Sequence, residues 1–242
     1  DTIFNNSITP DSSKICTIEN GTIELYKEND VSSYIKNGNV YQGDIENCDI
    51  TVCDGCYINN GENCQGNIKG SVDTSIILKN GSFILNGVNA QGNINDANIV
   101  LVKKSRIINA YTSQGNIEMC SISFDENSFI HNCCGGKGDV ENSYMTLTGG
   151  SYVINDSCRD IKTKIDIKDI TSGYEGGFEN TTVILHENSF INNGDALQGT
   201  FRKCYLKLID ESRILNGSGV KGIMDYCIIM ADGGSLIENG HC

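Results

Sequence analysis

Three sets of side chains in this chain have types and spacings that could do chemistry. Cys48, Cys53, Cys56 and Cys64 fall in one short stretch, where four sulfurs suffice for a structural zinc and Cys53-x-x-Cys56 suffices for a redox pair. Asp44, Glu46, Glu118, Asp139, Glu141 and Glu179 form an acidic set in which Glu118 and Glu141 stand 23 residues apart. Two carboxyls held close together split their pKa values, and such a pair can do acid and base work on a sugar. His131, His186 and His241 have no cysteine or carboxylate at a recognisable ligand spacing, so all three are read as surface residues.

Which of these sets converges depends on the elements that carry them, and those elements are repeats. SFILNGVNAQGNINDANIVLVKK is followed directly by SRIINAYTSQGNIEMCSISFDEN, and the same sentence restarts at Ser33, Cys56, Ser82, Ser105, Ser128, Ser151, Ser189, Ser212 and Ser235. Six of the eight intervals are 23 residues. A fixed period of this size marks a solenoid. Counted from the serine, alternating apolar pairs recur near positions 3, 13 and 18 to 20, a strand signal given three times per repeat. The fold class is therefore all-β: a parallel coil of three strands per rung, about nine to ten rungs, in a single domain over residues 1–242. Residues 1–32 read as a divergent first rung, 156–175 as an inserted loop and 235–242 as an incomplete last rung. A leucine-rich repeat lacks its spacing here, and Asn-Gly hairpins would reverse a pattern that keeps one direction throughout.

Position 3 is β-branched in every repeat: Ile35, Ile58, Ile84, Ile107, Ile130, Val153, Ile191, Ile214 and Ile237. Position 5 is asparagine in all nine: Asn37, Asn60, Asn86, Asn109, Asn132, Asn155, Asn193, Asn216 and Asn239. Asparagine tolerates the left-handed backbone of a tight corner, and its amide can bond the amide one rung above to build a ladder. On these columns the chain from Ser33 to Cys242 resembles the right-handed parallel β-helix proteins, a group that includes pectate-lyase-like enzymes, bacterial adhesin passengers and phage tailspikes. The resemblance implies the fold and an inward asparagine ladder. It is unspecific for function.

Winding the chain this way sorts the chemical candidates. Cys56 and Cys64 fall at different corners and Cys48 points inward, so a metal is not expected and a structural corner bond involving Cys53 and Cys56 is. Cys158 lies one rung above Cys133 and Cys134 at the same corner, so a disulfide is expected there too. Cys48, Cys120, Cys204 and Cys227 occupy a position that takes small residues and are read as core thiols. Glu118 and Glu141 stack in neighbouring rungs, which suits either acid/base chemistry or a solvated acidic face. Position 2 gives an outward stripe of Tyr34, Tyr57, Phe83, Phe129, Tyr152 and Phe190, interrupted by Arg106 and followed by Arg213. An exposed aromatic ribbon signifies a partner surface or a carbohydrate platform.

Composition narrows the partners. A formal charge of −13 and a pI near 4.6 disfavour nucleic acid and anionic membranes. Apolar runs such as Ile99–Val102 and Cys227–Ala231 are far short of a bilayer span, so no membrane insertion is expected. The absence of an initial methionine is read as a mature product or a fragment. Twelve cysteines and six Asn-x-Ser/Thr sequons favour a secreted, extracellular or cell-surface protein, with Asn20, Asn80 and Asn180 the candidates for glycan. The expected function is a non-enzymatic structural or adhesive solenoid without cofactor, stacking end to end on itself and touching carbohydrate or a cell-surface protein. The competing expectation is a polysaccharide-binding protein, or a lyase or hydrolase, using the acidic face or the aromatic stripe.

Overall fold

The structure is a computed structural model that describes residues 3–6, 16–28, 30–38, 42–61, 63–71, 73–110, 113–133, 137–155, 174–194, 196–217 and 221–240. Among the described residues there are 28 short strands and no helix. They form three parallel sheets of ten, nine and nine strands: a first sheet from Ile3–Asn6 to Leu236–Asn239, a second from Cys16–Glu19 to Lys221–Asp225, and a third from Thr22–Leu25 to Ile228–Ala231. The chain visits the sheets in turn, so each strand pairs with its equivalent one repeat away: Ile84 lies beside Ile58 and Ile107, and Ile94 beside Ile68 and Ile117. This is a parallel β-solenoid. The divergent first rung is part of it, with Asn6 beside Asn37, Ile18 beside Ile45, and Ile23 and Leu25 beside Ile50 and Val52.

Alternation along each strand sends one set of side chains inward, and the in-register pairing stacks them into one continuous core. Ile58, Ile84, Ile107 and Ile130 are fully buried in the first sheet, as are Ile76 and Leu78 in the third. Each contributes about 1.5–3 kcal/mol by leaving water. In the second sheet the inward column changes from isoleucine to Phe178 and Phe201, whose rings stack with centroids 4.8 Å apart.

The asparagine column is a buried ladder. Each Nδ2 donates to the Oδ1 of the asparagine in the next coil, from Asn37 to Asn239 without a break, at 2.7–2.9 Å. The same amides also donate across their own corner, as Asn86 does to Asn93 O at 3.1 Å and Asn193 to Thr200 O at 3.1 Å. One expectation is corrected here: these asparagines are in strands, and the left-handed backbone belongs to the residue that follows, Gly61 at φ 74°, Gly87 at 64°, Ala110 at 57° and Cys133 at 65°. Asparagine is selected for its amide; glycine makes the turn.

The ladder explains a second column. One glycine in each of several second-sheet strands, among them Gly43, Gly66, Gly92, Gly115, Gly138 and Gly176, has no room for a Cβ, which would sit 2.5–2.7 Å from an Oδ1 of the next coil's ladder asparagine. At the corner between the third and first sheets, two successive residues are left-handed in coil after coil, including Lys103 and Lys104 at φ 56° and 63° where others have Gly149 and Gly150. Their peptides form a further ladder, Lys104 N–H donating to Glu126 O at 3.0 Å. A side chain with a Cβ pays about 1–2 kcal/mol for this conformation. Lys104→Gly is therefore expected to raise stability by about 0.5–1 kcal/mol, read as a higher urea midpoint, after the greater freedom of glycine in the unfolded chain is set against that cost.

The expected insertion, including the alternation of Ile161, Thr163, Ile165 and Ile167, lies outside the described residues except for Tyr174 and Glu175, which begin the strand Tyr174–Glu179.

Candidate functional site

The outer face of the second sheet carries the acidic set and is built in three rows. One row is mostly glutamine, Gln42, Gln65, Gln114 and Gln198, with Lys137 among them; each donates two residues along its own strand, to Asp44, Asn67, Asn116, Thr200 and Asp139. The middle row is an external amide ladder, Asn93 donating to Asn67 at 2.9 Å and Asn67 to the Asp44 carboxylate at 2.7 Å. The third row holds Glu118, Glu141 and Glu179 side by side in register.

The middle row loses its side chain at Gly177, beside Asp139 on one side and Thr200 on the other. A notch of about 190 Å³ opens there, lined by Lys137, Asp139, Glu141, Glu179, Gln198, Thr200 and Arg202 over the Gly176–Phe178 backbone. The sequence places the insertion and the acids at different corners; the strand Tyr174–Glu179 joins them, leaving the insertion at one end and carrying Glu179 at the other. Lys137 pairs with Asp139 at 2.9 Å within the notch, Lys203 beside it pairs with Glu179 at 3.6 Å, and Arg202 reaches Asp225 through Nε at 3.9 Å. Partial burial raises the Glu141 carboxyl above its ordinary value, helped by the negative charges of Asp139, Glu118 and Glu179 and opposed by Lys137. Since the folded chain then holds that proton more tightly than the unfolded chain, stability falls as pH rises through the window between the two pKa values. Glu141→Gln is expected to be more stable than the parent at neutral pH and equal to it below the usual carboxylate range, as urea midpoints would report.

Chemically, the notch offers donors and acceptors to one small polar group. Glu118 and Glu141 project from neighbouring strands of one sheet face, about 4.8 Å apart at the backbone, rather than facing each other across a bond to be cut. Among the described residues, no three His, Cys, Asp or Glu side chains gather as a metal-holding group.

The aromatic stripe differs from its expectation. Tyr34, Tyr57, Phe83, Phe129, Tyr152 and Phe190 are half-buried rather than exposed, because the register that aligns them also lays ring on ring. Tyr34, Tyr57 and Phe83 stack at 5.1 and 4.9 Å, and Phe129, Tyr152 and Phe190 at 4.7 and 4.9 Å, all within 8° of parallel. The Arg106 guanidinium lies 4.5 Å over the Phe83 ring. Such pairs stabilise by about 0.5–1.5 kcal/mol each. Both faces of Tyr57 and Tyr152 are thereby occupied by neighbouring rings, and one face of each of the other four.

The cysteines divide as the winding implies, with one addition. Cys48, Cys120, Cys204 and Cys227 point inward, and each thiol is directed at two carbonyls, as Cys120 at Glu118 O (3.2 Å) and Ile94 O (3.6 Å). From the same column Thr181 bonds Val140 O and Glu179 O, and Ser143 bonds Glu141 O, while Ala97 fills the position without a donor, so the position takes small residues and a donor there finds a carbonyl. Burial pushes the Cys120 and Cys204 thiols up to about 11. At pH 8 such a thiol is thiolate about one part in a thousand, so alkylation of the folded protein, followed by mass spectrometry, is expected to spare Cys120 and Cys204 until denaturant is added. Cys53 and Cys56 stand as separate buried thiols rather than as the expected corner disulfide; Cys56 takes the repeat's serine position and its sulfur accepts the Ser33 N–H at 3.3 Å. Cys133 is buried with its thiol directed at Ser113 O, and its expected partners Cys134 and Cys158 lie outside the described residues.

His131 and His186 are half-buried rather than surface residues, His131 lying between Ile108 and Ile154 on the outside of the first sheet; His241 lies outside the described residues. Among the sequons, Asn155 and Asn216 are spent in the buried ladder, whereas Asn20, Asn80 and Asn180 are exposed at left-handed corners. No family model, no curated protein and no solved structure matches this chain.

Proposed function

We propose that the chain is a non-enzymatic, extracellular structural or adhesive solenoid whose coils continue from one copy to the next in a filament. The observation that carries this reading is the last described coil. Its inward column ends on Ile229, 44% exposed, whereas Leu206 and Val183, the equivalent residues one and two coils further in, are fully buried. Unpaired strand edges that are this apolar are the usual sites of strand addition. The exposed sequons at Asn20, Asn80 and Asn180 and the burial of the core thiols are compatible with an oxidising, glycosylating compartment. Sedimentation velocity across a concentration series, with electron microscopy of the largest species, is expected to give rods that lengthen with concentration. Monomers alone at high concentration would sink the reading.

A second reading is favoured by the notch at Gly177: binding of a neutral glycan unit, whose hydroxyls can both donate to Glu141 and Asp139 and accept from Gln198 and Arg202. Calorimetry against neutral oligosaccharides is expected to show heat that Glu141→Gln weakens and Gly177→Gln abolishes. Equal heats for all three proteins would remove it.

A further inference from the structure

Resting on the neutral-glycan reading of the notch at Gly177, we infer that its ligand is an N-acetylhexosamine unit, whose acetamido group takes the place of a missing rung in the external amide ladder.

The neighbouring coils show what this space ordinarily holds. In the middle row of the second sheet Asp44, Asn67, Asn93, Asn116 and Asp139 follow one another in register, then Gly177, then Thr200. Where amides bond along the row, each donates toward the preceding coil: Asn93 Nδ2 to Asn67 Oδ1 at 2.9 Å, and Asn67 Nδ2 to Asp44 Oδ1 at 2.7 Å. Adjacent strands are about 4.8 Å apart, so the backbones of Asp139 and Thr200 stand roughly 9.6 Å apart with one layer of side chain absent between them.

The two walls of this slot keep the polarity of the ladder. On the side of the preceding coil, Asp139 gives its Oδ2 to Lys137 at 2.9 Å, while its Oδ1 leans over the slot, 2.9 Å from the point where a Cβ on Gly177 would sit. On the other side, no atom of Thr200 comes within 4 Å of that point. The Thr200 oxygen accepts from Gln198 at 3.2 Å, which leaves its hydroxyl hydrogen to donate into the slot. An amide carries its donor and its acceptor on separate atoms about 2.2 Å apart. Its N–H meets the Asp139 carboxylate and its C=O meets the Thr200 hydroxyl, in the direction the asparagines already follow.

Charge narrows the ligand further. A carboxylate in the slot would face Asp139, and an ammonium would have to share Asp139 with Lys137; a neutral amide meets neither conflict. Beyond the slot, Glu141, Gln198 and Arg202 line the same notch and offer acceptors and donors to ring hydroxyls, which an amide on a side chain alone would leave unused.

The test is calorimetry with N,N′-diacetylchitobiose. Cellobiose, which has hydroxyls in place of the acetamido groups, and the tripeptide glycyl-glutaminyl-glycine are the comparisons. The parent is expected to bind the acetylated sugar about tenfold or more tightly than either comparison, and Thr200→Val to lose about tenfold of that preference. Gly177→Asn, which closes the slot with the chain's own amide, is expected to keep the parent's urea midpoint and bind none of the three. Cellobiose bound as tightly as the acetylated sugar would overturn the acetamido assignment and leave the neutral-glycan reading standing. The tripeptide bound as tightly would overturn the sugar and assign the slot to amide side chains of a protein. Binding that ignores both Thr200→Val and Gly177→Asn would overturn the placement, and no heat from either saccharide would overturn this inference and the glycan reading together.

Discussion

Asn132→Ala is expected to cost about 3–5 kcal/mol, measured as a fall in the urea midpoint. Asn132 is fully buried and sits in mid-ladder, where its Nδ2 donates to Asn155 Oδ1 at 2.8 Å, Gly115 O at 3.1 Å and Asp139 O at 3.2 Å, while its own Oδ1 takes the Asn109 amide at 2.8 Å. Alanine removes all four at once and leaves Asn155 Oδ1 facing a space with no donor. Each orphaned buried polar group costs about 1–3 kcal/mol, and the cavity adds to that. Asn109 keeps Asn116 O at 3.2 Å and Gly92 O at 3.0 Å, so the total stays below the sum of four separate losses. The external ladder provides the comparison. Asn93→Ala removes a half-buried bond to Asn67 of similar length, 2.9 Å, yet water can replace it, and the expected loss is under about 1 kcal/mol. Equal losses at Asn132 and Asn93 would mean that the buried amides contribute no more than exposed ones.

What the sequence conveyed follows from which features repeat. The coil, its three strands and the ladder were legible because Ile at position 3 and Asn at position 5 recur in nine copies, and a column that must pack against itself cannot vary much. The divergent first rung was legible for the same reason, down to Asn6 and Ile18. Side-chain consequences of stacking were harder to see. Period and alternation place Tyr57 and Phe83 on an outer face; they do not say that two flat rings one strand apart will cover each other. The inward cysteine column is legible by size alone, since a linear sequence shows that Cys120, Ser143 and Thr181 are all small but not that each has a carbonyl two residues back to bond. The sequence suggests the asparagine itself for the left-handed corner, and the actual division of labour, amide from Asn109 and left-handed turn from Ala110, appears only when backbone angles are known. The notch was missed because it arises from a single departure in a variable column, Gly177 where neighbouring coils have Asp139 and Thr200, and one glycine among 27 carries little signal.

Glycines in this chain are of two kinds, and alanine substitution separates them. Gly92 has no positive φ, so its backbone would accept alanine freely, but the added Cβ would lie 2.5 Å from Asn109 Oδ1, 2.6 Å from Asn86 O and 2.7 Å from the Ala110 amide nitrogen. Two of those three atoms are backbone and the third is fixed in the ladder, so none is a flexible end that can swing away. The coil must open at this corner, which strains the packing by about 1–3 kcal/mol and stretches the Asn86 to Asn109 bond, now 2.8 Å, for a further 1–3 kcal/mol or so. Gly92→Ala is therefore expected to lose about 3–5 kcal/mol. Gly81 is the reverse case: its φ is +75°, but a Cβ would meet nothing within 4 Å. Gly81→Ala is expected to lose only the conformational cost of about 1–2 kcal/mol, as the left-handed Lys104 in an equivalent corner already shows to be tolerable. Urea midpoints for the two variants rank them, and a Gly92→Ala protein as stable as Gly81→Ala would mean that the ladder can shift by more than half an ångström without loss, which the unbroken 2.7–2.9 Å spacing of its eight bonds argues against.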